Sequence, residues 1–232
     1  CASYDREHWF RVPTRYEGGE LITEHAVTRD TVWYAYFAPY DEERHQRLLG
    51  AMQQRSGVTL SSLGSTLDGR SMDRLSFGNP DGVPCWIIAR QHPGETMAEH
   101  LVEGLLHRLL DPADALSASL LARARFHVVP NMNPDGSARG YLRTNAAGTN
   151  LNRAWAEPTM DASPEVYLVR EAMDDSGVRF CLDVHGDEAL PYNFIAGADG
   201  VKELPDSIHA LRHRYEEALM TASPAFQREH GY

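Results

Sequence analysis

The run VPCWIIAR leads into Gln91-His92-Pro93-Gly94-Glu95, so a histidine and a glutamate three residues apart stand in the turn after a predicted strand. In α/β sheets the site residues gather at strand C-termini and the turns that follow, where His92 and Glu95 can converge on one point. A neutral ring nitrogen and a carboxylate together suit zinc. The segment RFCLDVHGDE adds a third donor, because Phe180 to Val184 read as a buried strand and His185 falls at its C-terminal end. Two histidines and one glutamate, with a fourth position left for water, form the donor set of catalytic zinc rather than of a closed structural site.

Between these donors runs VVPNMNPDGSARGYLRTNAAGTNLNRAW. Asn133-Pro134-Asp135-Gly136 is turn chemistry, and the polar remainder is too long for a mere connector, so it is expected to cover the site. Guanidinium forks bind carboxylates through two hydrogen bonds and an amide adds a donor. Arg143, Asn152 and Arg153 therefore form a candidate clamp for an anionic group.

The elements that must position these side chains follow from the apolar pattern. Residues 1–40 alternate polar and apolar in HWFRV, ELITEHAV and TVWYAYFAPY, which predicts short antiparallel strands. DEERHQRLLGAMQQR carries acids in its first turn and stops before Gly57, as a helix over 41–55 requires. Strand and helix patterns then alternate through VPCWIIARQ, TMAEHLVEGLLHRLL, RFHVVPN, PEVYLVREAM and RFCLDVHG. The predicted class is α/β, with a mixed, mostly parallel central sheet flanked by helices and preceded by a small antiparallel β segment.

Composition removes other classes. Of 232 residues, 22 are Lys or Arg and 33 Asp or Glu, giving a net charge of −11 and no basic block to meet a phosphate backbone, so no nucleic-acid partner is expected. No run approaches the roughly 18 apolar residues of a membrane span, and the N-terminus lacks the apolar core of a leader. The 42% hydrophobic content argues against disorder. Cys1, Cys85 and Cys181 are odd in number, and the latter two sit in apolar runs. They read as small buried hydrophobes of a reducing, cytoplasmic compartment.

The ordered set His-Pro-Gly-Glu, Asn-Pro-Asp-Gly, Arg143, Asn152-Arg153 with Trp155, and a strand ending in His185 resembles the zinc metallocarboxypeptidases of the carboxypeptidase A type. With NLNRAW and the upstream YFAPYDEERHQRLL, it is most similar to the cytosolic carboxypeptidase branch and its bacterial relatives. The resemblance implies zinc held by His92, Glu95 and His185. It also implies a substrate carboxylate gripped by Asn152 and Arg153, and a scissile carbonyl polarised by Arg143. Residues 1–40 would end a small N-terminal β domain, and 41–232 would be the catalytic domain without its C-terminal part. The implied reaction is hydrolysis of the C-terminal peptide bond of a peptide or protein, with glutamate trimming known in the branch.

Two departures accompany the resemblance. The family carries a carboxylate two positions before the Asn-Arg pair, orienting the first zinc histidine, where this chain has Asn150. An amide accepts the ring N–H but adds no charge, and changes of this kind typically cost ~10–100-fold in affinity or activity. The family's general-base glutamate lies well downstream of the third ligand and is expected beyond residue 232. The tail of this chain reads as a strand (YNFIAG), a loop and a helix whose Glu216 and Glu217 form a solvated face. Two alternatives share part of the pattern: an aspartoacylase or succinylglutamate desuccinylase type of amidohydrolase, and a catalytically silent zinc module that binds peptide C-termini.

Overall fold

The computed structural model describes residues 1–197, 201 and 204–232. The polar and apolar alternation near the N-terminus becomes two small ladders. Strand β1 (Ala2–Ser3) pairs antiparallel with β4 (Trp33–Tyr34), and β2 (Thr14–Glu17) with β3 (Glu20–Thr23). HWFRV forms no strand beyond one bridge from Phe10 to Ala2. His25 sits between the hydroxyls of Tyr4 and Tyr34, 3.0 Å from each.

Helix α1 (Glu42–Gln53) starts where expected, because Asp41 Oδ1 accepts the Arg44 backbone N–H at 2.9 Å. Then follow β5 (Thr59–Ser65), β6 (Ser71–Gly78), β7 (Val83–Ala89), α2 (Met97–Leu109), α3 (Ala115–Leu121), β8 (Ala124–Val129), α4 (Pro134–Arg139), a 3₁₀ turn (Leu151–Arg153), α5 (Pro164–Ser176) and β9 (Phe180–Val184). The five strands order as β5-β6-β8-β7-β9. Only β6 runs against the others, and β7 lies parallel to both of its neighbours. The mostly parallel sheet expected from the strand and helix alternation is the one observed.

Strand β7 is continuously apolar because both its faces are covered. Ile87 and Ala89 pack with Leu48, Leu49 and Met52 of α1 and Val102 and Leu106 of α2. Trp86 and Ile88 face the other way, towards Val169 and Met173 of α5. Among the described residues strand β9 pairs with β7 alone. Cys181 is accordingly exposed and Cys85 half-buried, where their apolar runs suggested burial; Cys1 is half-buried, and all three thiols are free.

Cys1–Gly186 forms one compact unit and Asp187–Tyr232 a second. In the second, YNFIAG does not form the expected strand and contributes a single bridge from Asn193 to Phe226. Part of the loop after it lies outside the described residues. Helix α6 (Asp206–Ala222) is present, but its acidic pair divides. Glu217 is exposed and meets His213 at 3.2 Å. Glu216 is buried and held by Arg212 at 2.9 Å and Arg228 at 3.4 Å, so it is not part of a solvated face. Among the described residues no helix is long and apolar enough to cross a membrane.

A buried ionic cluster ties α1, α2 and β6 together. His45 Nδ1 lies 2.6 Å from Glu99 Oε1 and its Nε2 3.8 Å from Asp73 Oδ2. Burial opposes the charged ring, but the two carboxylates outweigh it and raise His45 from 6.5 to about 9. A histidine raised on folding stabilises the fold below its unfolded pKa and loses that contribution as pH rises through the folded one. We expect denaturant unfolding to show stability falling between about pH 6.5 and 9. In His45→Gln the slope over that window should shrink, and an unchanged slope would assign the pH dependence elsewhere.

Candidate metal centre

The turn after β7 is built from its own backbone constraints. Arg90 adopts φ 58°, a left-handed conformation that ends the strand sharply. Its buried guanidinium then reaches back: Nε donates to Pro93 O at 3.0 Å, and Nη1 donates to Tyr40 O at 2.8 Å and to Glu99 Oε2 at 2.5 Å. Arg90 thus clips the His92–Glu95 turn to α2 and to the segment before α1. From the other side, Asn133 Nδ2 donates to Gln91 O at 3.0 Å. Gly94 donates its N–H to Leu142 O at 2.9 Å, and a Cβ there would stand 2.9 Å from that same oxygen. Only glycine lets the turn approach this closely, which brings the neighbouring Arg143 to the site.

The three expected donors meet. Ligand atoms of His92, Glu95 and His185 all lie within 4.8 Å of one another. His92 Nδ1 is 2.7 Å from Glu95 Oε1, and His185 Nδ1 is 2.9 Å from Glu95 Oε2. Gly186 donates its N–H to the same Oε2 at 2.9 Å. His92 and Glu95 are buried, while the His185 side chain keeps 28% exposure, so the group opens to solvent on one side.

The outer ring nitrogens decide which lone pairs face inward. Asn150 Oδ1 accepts the Asn152 backbone N–H at 3.1 Å and faces His92 Nε2 at 3.1 Å. An oxygen there makes Nε2 the donor and leaves His92 Nδ1 as a lone pair. Asp183 Oδ2, 2.9 Å from His185 Nε2, can only accept, so in the neutral His185 ring the lone pair likewise falls on Nδ1. Two imidazole lone pairs and a carboxylate are a donor set that zinc accepts. Burial works against ionised Glu95, but His185, His92 and the Gly186 N–H hold it down at about 2. Burial also disfavours charged His185, and Asp183 and Glu95 outweigh that to raise it to about 9, so a metal arriving near neutral pH displaces a proton.

Arg143 stands at the rim, its Nη1 3.9 Å from Glu95 Oε1 and its side chain 47% exposed. Asn152 and Arg153 lie on the 3₁₀ turn that Asn150 caps. The exposed Arg153 donates to Asn152 O at 2.9 Å, and neither side chain hydrogen-bonds directly to the three donors. Asp183 is a residue the motif search passed over. Its signal was available: residues i and i+2 of a strand share a face, so an Asp two positions before a strand-end His is placed to hold its ring. The Arg90–Glu99 clip had no such local signal.

A mostly parallel α/β sheet that brings an N,N,O donor set together at its strand ends offers a candidate metal site. Residues 46–194 match the zinc carboxypeptidase family (peptidase family M14), and residues 1–37 match the cytosolic carboxypeptidase N-terminal domain. The chain belongs to the zinc carboxypeptidase family. It is similar to a metallo-carboxypeptidase from Burkholderia cenocepacia, with 48% identity and a TM-score of 0.96 over 100% of this chain and 63% of that one. It is similar also to a metallo-carboxypeptidase from Pseudomonas aeruginosa in complex with (2-guanidinoethylmercapto)succinic acid, with 45% identity and a TM-score of 0.95 over 100% of this chain and 62% of that one. Human cytosolic carboxypeptidase 6 is 26% identical over 72% of this chain and 36% of its own length. The chain spans about three fifths of the bacterial relatives' length.

After equilibration with zinc and removal of the excess, elemental analysis should find about one zinc per chain, and His92→Ala should lose it. Unchanged zinc in His92→Ala would exclude this donor set.

Proposed function

We propose that the protein is a zinc-dependent carboxypeptidase that hydrolyses the last peptide bond of a peptide or protein. The observation that carries this reading is the convergence of two imidazole nitrogens and a buried carboxylate beside an available arginine. Zinc bound there supplies Lewis acidity and lowers the pKa of water towards ~7. The chain's own residues do the rest. Glu95, ionised across the neutral range, balances metal charge without taking up a proton. Asn150 and Asp183 hold the two rings so that their free nitrogens point at one locus.

Arg143 is free to turn from Glu95 towards an oxygen gaining negative charge, a role in which a single donor is typically worth ~10²–10³ in rate. Arg153 and Asn152 would receive the substrate's terminal carboxylate. That requirement makes the activity exopeptidic, since an internal bond offers no such anion. The succinic acid ligand of the Pseudomonas relative supports a carboxylate-binding site, and the family match favours peptide over N-acyl amino acid substrates. Residues 1–37 and the three free thiols support action in the cytoplasm.

The resemblance to the cytosolic branch adds glutamate-ended acidic tails as a substrate, and the guanidino group of that ligand adds basic C-termini. N-blocked peptides ending in Glu, Arg and Phe, each as free acid and as amide, separate these readings when release of the last residue is measured on the intact natural protein. We expect release from free acids only. Arg153→Ala should lower kcat/KM for the preferred acid by ~10–150-fold, the ~1.5–3 kcal/mol of a hydrogen bond to a charged group. Equal loss for acid and amide would remove the clamp, and binding without release from any peptide would leave a binding module.

A further inference from the structure

Beside the donor set runs a chain of hydrogen bonds that the hydrolysis does not itself require. Trp155 Nε1 donates to Gln91 Oε1 at 2.9 Å, Gln91 Nε2 donates to Asp183 Oδ2 at 2.6 Å, and Asp183 Oδ2 also accepts from His185 Nε2 at 2.9 Å. The direction of every link is determined. An indole N–H can only donate, so the Gln91 oxygen faces Trp155 and its NH₂ faces Asp183; a carboxylate can only accept.

We propose that Gln91 is a positioning residue that sets the orientation of Asp183, and through it the inward nitrogen of His185, from the segment that carries Asn152 and Arg153. This rests on the zinc reading of His92, Glu95 and His185.

Three observations support it. Gln91 is 1% exposed, and its backbone oxygen is pinned by Asn133, so its amide has little freedom to serve another partner. Asp183 depends on it: Oδ1 is buried without a hydrogen-bond partner, which leaves Oδ2, with Gln91 and His185, as the atom that fixes the carboxylate. Trp155 is two residues past Arg153 and packs against the α5 side of the core, so the far end of the chain is anchored in packed structure. The same short stretch thereby holds both rings, His92 through Asn150 and His185 through Trp155, Gln91 and Asp183. A displacement of the Asn152–Arg153 turn reaches both inward nitrogens at once.

The test compares wild type, Gln91→Met, Trp155→Phe, Asp183→Asn and the Gln91→Met/Asp183→Asn pair on the intact natural protein. Methionine keeps the volume and removes both hydrogen bonds. Zinc affinity is read by chelator competition, the geometry of the bound ion by visible absorption with cobalt(II) in place of zinc, and fold stability by thermal unfolding of metal-free protein. We expect Gln91→Met to weaken zinc by ~10–100-fold and to shift the cobalt spectrum, as loss of a ligand's supporting partner typically does. Trp155→Phe should act in the same direction more weakly. In the Asp183→Asn background Gln91→Met should add little, because Gln91 acts through Asp183.

A purely structural Gln91 would lower metal-free stability and leave zinc affinity and the cobalt spectrum of the folded protein unchanged, which overturns the inference. If Gln91→Met does not fold, unchanged affinity and spectrum in Trp155→Phe overturn it equally. A wild-type protein that binds no zinc overturns the donor-set reading together with this one. Zinc-bound wild type with unaffected variants overturns this one alone.

Discussion

A neutral imidazole has one lone pair, and the site depends on both histidines turning that lone pair inward. Each ring therefore needs an acceptor for its outer N–H. Those acceptors are not local to the turn: Asn150 comes from the loop before the 3₁₀ turn and Asp183 from β9. The three donors can converge only if β7, β9 and the 140–155 segment are already in register. Parallel pairing of β7 with β9, which sets Ala89 opposite Val184, brings the two histidine-bearing strand ends side by side. The glycines then permit the last approach. Gly186, where a Cβ would run into Met97 Sδ, donates its backbone N–H to Glu95 from a position that no side chain could share.

Beneath the site lies a second constraint. The Arg90 guanidinium, the Glu99 carboxylate and the His45 ring are all buried, and each is matched. A buried ion pair adds little net stability over an apolar filling, but removing one partner strands the other and typically costs ~3–5 kcal/mol. The arrangement is therefore better understood as fixing geometry than as adding stability. It holds the Pro93 carbonyl, hence the His92–Glu95 turn, at one place against α2. Asp135 acts similarly further round, accepting from Thr66 Oγ1 at 2.7 Å, Arg70 Nη1 at 3.0 Å and the Asp68 N–H at 3.0 Å. This fastens the β5–β6 hairpin to the first turn of α4, so that Asn133-Pro134-Asp135-Gly136, expected as a turn, is a capped helix start.

Much of this was legible in the residues, because the signals were local. The apolar runs marked β7, β8 and β9, the acids after Asp41 marked α1, and the ends of two strands marked the donors. What was not legible depended on long-range partners. Glu216 looked solvated on a helical face and is buried, because Arg228, twelve positions on, returns to it. Cys181 looked buried in an apolar run and is exposed, because among the described residues β9 has a neighbouring strand on one side alone, which is a property of sheet order rather than of the strand. YNFIAG has strand composition but finds only one bridging partner. The proposed anion-binding pair stands within NLNRAW, whereas the tie from Trp155 to Gln91 required the fold.

The amide at Asn150 positions its neighbours without adding a charge. Glu95 and Asp183 already bring two carboxylates to the candidate site, one facing the two histidine rings and one behind the His185 ring. A carboxylate at position 150 would add negative charge next to the Asn152–Arg153 turn, the proposed receiver of a terminal carboxylate, and like charges in a half-buried site repel. An amide oxygen still caps that turn and still accepts the His92 N–H, so both positioning tasks are met without the charge. The basicity that a carboxylate lends to a ligating ring is provided instead at the other histidine, by Asp183.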